Sequence, residues 1–261
     1  MTAVNEAIPE EDRQPTRTGR AEKTRTFDQT FLDTDTDVIH RDYIAHALRW
    51  GFSKRNFIVH EVTGVLDVGC GPTRPMLLVL FGGIGAFPLA KRYVGVDLNK
   101  IKPTQHKRST LYQEFNFIER VEELRKKEGA FELITNFEVI EHMPIAKGQE
   151  LLVAMKRMLA PGGRILLSTP VYDGKARAAN HIHEHTISEL TGLIDQAGLK
   201  VVNRWGTFAN YNDIKKVAAP EHLQTLNDIR SWFGNEVAAC FLAPLYPDQS
   251  RNNFWEIVAK K

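Results

Sequence analysis

Short apolar runs alternate along most of the chain with stretches of helical period. Val65-Leu66-Asp67-Val68 is a compact run that ends in a glycine turn, and Tyr93-Val94-Gly95-Val96-Asp97 is a second. Leu111 to Phe117 is a third, and Phe131-Glu132-Leu133-Ile134 a fourth. Arg164 to Thr169 is a fifth, entered through the turn Pro161-Gly162-Gly163. Lys200-Val201-Val202 opens a sixth, and Phe254 to Ala259 reads as a seventh. Between them, Ile39, Tyr43, Ala47 and Trp50 predict a helix over 36–50, started by Thr34-Asp35-Thr36-Asp37. Leu151, Leu152, Met155 and Leu159 share one side of a helix over 148–159. Thr186 and Glu189 have capping-box spacing before Leu190, Leu193, Ile194 and Ala197, and Gly198 closes that helix. Buried strands alternating with helices predict an α/β fold: seven strands in a mostly parallel sheet, with helices on both faces.

The segment 208–252 is longer than a hairpin between the sixth and seventh strands requires. It carries Tyr211, Trp232, Phe233, Phe241, Tyr246 and two helical stretches. A helical lid over an acceptor site is expected, with an accessory core patch as the alternative.

Composition adds boundaries. Of 261 residues, 43% are hydrophobic and 25% charged, which supports one core-forming domain over 27–261. Residues 1–26 lack aromatics and are rich in Thr, Glu, Arg and Pro, as expected of a disordered tail. With 34 basic and 32 acidic residues, the net charge of +2 gives no global field for nucleic acid or an anionic membrane. Glycines and Pro88 interrupt the longest apolar stretch, Met76 to Ala90, so no membrane span is expected. Cys70 and Cys240 cannot form a disulfide framework, and a reduced, cytoplasmic setting is expected.

Ligands of open α/β sheets sit at the carboxyl ends of the strands. Here the first strand ends in Asp67-Val68-Gly69-Cys70-Gly71, where glycines permit a tight turn and close approach of a ligand to backbone. The second ends in Asp97, a carboxylate placed to accept both hydroxyls of a ribose. These two motifs resemble motifs I and II of class I S-adenosylmethionine (SAM)-dependent methyltransferases. Phe131 to Pro144, reading FELITNFEVIEHMP, resembles motif IV, and Leu159 to Arg164 resembles the turn before the fifth strand. A Rossmann dehydrogenase would have a third glycine where Thr73 and Arg74 stand. The resemblance covers about 60–205 and implies a Rossmann-like fold and the cofactor SAM. It implies that Asp67, Gly69 and Gly71 face the methionine and ribose, and that Asp97 holds the ribose hydroxyls. Leu98 would pack on adenine, Asn116 would lie beside its amino group, and Asn136 and Phe137 would line the methyl-transfer end. Asp67 and Asp97 are farther apart than the roughly 20 residues usual for such motifs; the added 81–88 is expected as an apolar loop or a surface insertion.

Glu138, Glu141 and His142 follow the fourth strand, and His181, His183 and His185 precede the capped helix. The topology carries both segments to one rim of the sheet. Two carboxylates with imidazoles suit Mg²⁺, Mn²⁺ or Fe²⁺. The arrangement resembles the Glu-x-x-Glu-His of ubiquinone-biosynthesis O-methyltransferases and of small-RNA 3′-end 2′-O-methyltransferases. By that resemblance Glu138, Glu141, His142 and His181 are metal ligands, with His183 the alternate. A metal-free histidine base, His142 or His183, and a purely structural role remain open. The acceptor is expected to be a small molecule methylated on oxygen, less favourably on nitrogen. An RNA or nucleotide 2′-O-methyltransferase is the second reading, and a non-catalytic SAM-binding protein a third. Arg251, Asn252 and Asn253 are candidate contacts to a polar acceptor.

Overall fold

The computed structural model describes residues 14, 32–33, 38–39, 41–71, 90–100, 109–175 and 177–261. The expected tail 1–26, apart from Gln14, and the expected loop 81–88 lie outside them.

Seven strands form one sheet: β1 Gly64–Val68, β2 Arg92–Val96, β3 Ser109–Tyr112, β4 Phe131–Phe137, β5 Leu159–Pro170, β6 Leu199–Ala209 and β7 Ser250–Ala259. Their order is β3-β2-β1-β4-β5-β7-β6. The first five pair in parallel, and β7 runs antiparallel to both β5 and β6. The expected Rossmann-like, mostly parallel sheet is therefore present. Leu32–Asp33 and Val38–Ile39 form a separate antiparallel pair.

The helices are α1 Arg41–Val59, α2 Val121–Glu128, α3 Ile145–Met158, α4 Ile187–Gln196, α5 Tyr211–Val217 and α6 Pro220–Leu242. Successive strand residues point to opposite faces of a sheet. Leu66, Ile134, Leu167 and Trp255 pack on one side with Leu124, Leu151, Leu152 and Leu190 of α2, α3 and α4. Val65, Leu133, Leu166 and Phe254 pack on the other with Phe57, Trp50 and Phe52 of α1. Both faces are thus covered, which is why these strands read as unbroken apolar runs rather than alternating ones.

Several boundaries differ from the sequence pattern. The expected helix over 36–50 begins only at Arg41, since Val38–Ile39 is strand, and continues to Val59, because Ser53 and Phe57 extend its buried face beyond Gly51. Of the third expected strand, only Ser109–Tyr112 is strand; Glu114 takes a φ of 50° and turns the chain, and Phe115 and Phe117 enter the core from a turn. The Pro161-Gly162-Gly163 turn is absorbed into β5, whose register to β4 shifts between Phe131 and Leu133.

The connection from β6 to β7 is helical, as expected. Leu226, Ala238, Ala239 and Leu242 of α6 form their own core with Tyr211 and Ile214 of α5. A φ of 81° at Gly234 kinks α6. This subdomain is fastened where β6 passes beneath it: a Cβ on Gly206 would overlap Ser250 Oγ and the carbonyl oxygen of Ala243. A backbone carbonyl cannot swing aside, so Gly206→Ala is expected to cost about 1–3 kcal/mol, readable by denaturant unfolding. Unchanged stability would mean that the connection repacks freely.

Candidate active site

The turn after β1 is braced from beneath. Asp67 is buried, and its register partner on β4 is Thr135. Thr135 Oγ1 donates to one carboxylate oxygen at 2.8 Å, and Tyr93 Oη on β2 donates to the other at 2.5 Å. Asp67 thus joins three strands under the turn. Burial pushes its pKa from 3.8 to about 6, against the two hydrogen bonds and helped by the charge of Asp97. Asn136 is buried beside it and donates from Nδ2 to the carbonyl of Val68 at 2.9 Å, while its Oδ1 has no partner.

Gly69 has a φ of 75° and would clash through a Cβ with Val139 Cγ2. The turn therefore touches the segment after β4 directly. Gly71, with a φ of 67°, donates its N–H to Asp97 Oδ2 at 2.9 Å. The other oxygen of Asp97 accepts from Asn99 N at 2.8 Å and Asn99 Nδ2 at 3.1 Å. Leu98, beside it, is 67% exposed, so its apolar face is open for a planar ring. Asn116 lies past β3, its Oδ1 accepting from Glu119 N at 3.4 Å. Phe137 meets Trp50 of α1 edge-on at 4.9 Å. The expected cofactor residues thus follow the ends of β1 to β4, with Asp67 and Asn136 supporting the turn from inside the sheet.

The acid–histidine residues separate into three groups. Glu138 is held in a left-handed backbone conformation, φ 56°, which non-glycine residues seldom adopt. Its carboxylate pairs with Arg49 of α1 at 2.6 Å and accepts from Ser168 Oγ at 2.8 Å. Asn252 Nδ2 on β7 lies 3.0 Å from each of its oxygens. Arg49 is buried and also reaches Ser168 Oγ at 3.2 Å. Glu138 is therefore engaged by α1, β5 and β7, and it is not part of the group that the other expected ligands form. Neither Arg49 nor Ser168 belongs to the motifs, and Arg49 shares the buried face of α1 with the polar Ser53 and Asn56.

Glu141, His142 and His181 converge, with ligand atoms all within 4.8 Å of one another. Glu141 is buried; Thr169 Oγ1 donates to its Oε2 at 3.0 Å, and its Oε1 has no partner. Burial and the nearby Glu138 charge push its pKa well up. His142 Nδ1 lies 3.1 Å from the Asn180 carbonyl, and its ring meets His181 at 5.0 Å. Burial lowers its pKa. His181 Nδ1 lies 2.7 Å from Glu184 Oε1, which orients the ring. The carbonyl of Glu141 accepts from Ile182 N at 2.8 Å and His183 N at 3.1 Å, clamping the two segments together.

His183 belongs to neither group. It is buried, and its Nε2 lies 2.9 Å from Glu189 on α4. His185 lies beside it with a pKa lowered to about 4 by burial and by His183. An open cavity of about 550 Å³ adjoins this segment, between the start of α4 and the β6–β7 connection. Asp173, Lys175, Asp213, Lys216, Asp248 and Arg251 line it. The aromatics of the connection do not: Tyr211 lies in the α5–α6 core, Trp232 is 80% exposed, and Tyr246 Oη lies 2.7 Å from His222 Nδ1. Arg251 faces Asp173 at 3.5 Å, and Asn253 is buried in β7.

A glycine turn under a carboxylate-tipped second strand, at the open end of a 3-2-1-4-5-7-6 sheet, defines a nucleotide-binding α/β domain of the methyltransferase type. A family model described as a methyltransferase domain matches residues 40–204, and the chain belongs to that family. A ubiquinone biosynthesis O-methyltransferase of Nitrosococcus oceani is 32% identical over 40% of this chain and 42% of its own length. That of Escherichia coli O9:H4 is 31% identical over 58% and 67% respectively. A probable SAM-dependent methyltransferase of Mycolicibacterium smegmatis is 28% identical over 58% of each. The chain thus spans about two fifths of the length of the first of these relatives. Among solved structures, a didemethyltoxoflavin N1-methyltransferase of Burkholderia thailandensis superposes with TM-score 0.51 at 16% identity, over 84% of this chain and 80% of its own. The methyltransferase domain of a bacterial Hen1 protein gives 0.51 at 16%, over 83% and 100%. These two likenesses show the fold.

Asp67 supplies a pH test of the braced turn. The folded state holds its proton more tightly than the unfolded chain, so the stability it contributes is present at acid pH and lost as pH rises through about 6. Relative to Asp67→Asn, the wild-type unfolding free energy is expected to fall by on the order of 3 kcal/mol between pH 4 and 7. A difference independent of pH would show that the carboxyl is hydrated.

Proposed function

We propose that the protein is a SAM-dependent O-methyltransferase acting on a small polar acceptor, assisted by a divalent ion at Glu141, His142 and His181. The observation that carries this reading is the contact between two sites. Val139, two residues before Glu141, packs against Gly69, so the cofactor turn and the acid–histidine cluster share one rim.

In this reading Asp97 accepts the ribose hydroxyls, Leu98 covers the adenine, and Asn116 lies beside the adenine amino group. Gly69 and Gly71 admit the methionine portion close to backbone. Asp67 and Asn136 hold the turn rigid rather than touch the ligand. Phe137, with Trp50, closes the apolar side of the methyl-transfer end.

The cluster suits a cation on chemical grounds. Glu141 Oε1 is a buried oxygen without a hydrogen-bond partner, and two imidazoles stand beside it. An oxygen and two nitrogens fit Mg²⁺ poorly and Mn²⁺ or Fe²⁺ better. Bound there, the ion would supply positive charge that favours loss of an acceptor hydroxyl proton. Thr169 and Glu184 fix the orientations of Glu141 and His181. Glu138 stays with Arg49 and fixes α1 against the sheet. The β6–β7 connection supplies the far wall of the acceptor side, where charged residues of both signs favour a polar small molecule over a polyanion.

Calorimetry is expected to show binding of SAM and of its demethylated product, with Asp97→Ala weakening it by about 1.5–3 kcal/mol. Binding of neither by the folded protein would overturn the cofactor assignment.

Glu141→Gln is expected to lower turnover at least 100-fold with SAM affinity nearly unchanged, and a chelator to do the same until Mn²⁺ or Fe²⁺ is restored. Full turnover in chelator would leave a histidine base as the mechanism. Radiolabelled SAM offered with metabolite and RNA pools identifies the acceptor. Label in RNA alone would overturn the small-molecule reading, and tight SAM binding without labelling would leave a binding protein.

A further inference from the structure

The three histidines between β5 and α4 do not serve one centre. His181 turns to Glu141 and His142, whereas His183 and His185 turn to the first turn of α4. His183 Nε2 lies 2.9 and 3.0 Å from the two carboxylate oxygens of Glu189. His185 Nδ1 stands 3.5 Å from one of them, long for a hydrogen bond, and the imidazole rings meet edge to face at 4.7 Å. The ligand atoms of the three residues all lie within 4.8 Å of one another.

The environment makes this more than a hydrogen-bonded pair. Both histidines are buried, and neither ring nitrogen of His185 has a hydrogen-bond partner closer than the 3.5 Å contact of Nδ1 with Glu189. Buried polar atoms are nearly always satisfied, so an imidazole left with one long contact calls for an explanation. Glu189 alone does not supply it, because its carboxylate already faces His183 Nε2 and the N–H of Thr186 at 3.3 Å. A cation between the three side chains would take a lone pair from each imidazole and neutralise the carboxylate together. The side chain of Glu189 is 30% exposed, which leaves an entry path.

We propose that His183, His185 and Glu189 form a second, structural site for a divalent transition-metal ion of the zinc class. Two imidazole nitrogens and one carboxylate oxygen are a borderline donor set that zinc accepts in tetrahedral geometry, with water as fourth ligand. The ion fastens the segment 181–186 to the start of α4. It shares no side chain with the Glu141 cluster, so the proposal stands independently of the proposed function.

The test is zinc binding to the Glu141→Gln protein, in which the other cluster is broken. Stripped with chelator and then given Zn²⁺, this variant is expected to bind one zinc per chain by elemental analysis and to melt at a higher temperature than the stripped protein. With Co²⁺ in place of zinc it should show the intense visible absorption of a tetrahedral site. Adding Glu189→Gln, which keeps the capping box, or His185→Phe, which keeps the volume, should each weaken zinc binding at least tenfold. Absence of bound zinc from the Glu141→Gln protein would overturn the proposal. So would zinc binding at unchanged affinity in both double variants. Metal-independent turnover of the wild type would overturn the Glu141 site alone.

Discussion

Arg49 and Glu138 form a pair on which the arrangement of the site depends. A guanidinium buried on α1 is costly unless its charge is met, and only Glu138 lies within ion-pairing distance among the described residues. The carboxylate can meet it because its own residue departs from β-geometry immediately after β4. Ser168 on β5 and Asn252 on β7 complete the oxygens' hydrogen bonding. Four elements are thereby fixed at one point. Removing one partner would leave an unpaired buried charge, which typically costs several kcal/mol.

That pairing also bears on the residue three positions later. With Glu138 held by an internal cation, Glu141 is the carboxyl that faces His142 and His181. Two carboxylates spaced as Glu-x-x-Glu thus do different work. One anchors a helix against the sheet. The other is buried and keeps one oxygen without a hydrogen-bond partner.

Much of the fold was legible in the sequence, because buried parallel strands announce themselves as apolar runs and the runs at 65–68, 93–96 and 131–134 lie inside observed strands. The capping box at Thr186 and Glu189 was equally plain, since both of its hydrogen bonds are local. What was not legible depended on long-range contacts. The helix α1 passes Gly51 because Phe57 finds a place against Val65 and Leu133, which no local pattern records. The end of β3 is set by Glu114 N bonding to the carbonyl of Asn99, a contact between different loops.

The histidines show the same limit at the scale of the site. In sequence, His181, His183 and His185 are equivalent members of one run. The carbonyl of Glu141 breaks that equivalence by accepting the N–H groups of Ile182 and His183. This clamp lays the backbone of the run against the short 3₁₀ turn holding Glu141, so that His181 meets His142 across it. The chain beyond must enter α4 through the Thr186 cap, and Glu189, three residues on, faces back toward His183 and His185. Which histidine faces which carboxylate is decided by two backbone hydrogen bonds and one helix cap. The division of the run is therefore a property of the fold around the motif, and residue types alone do not give it.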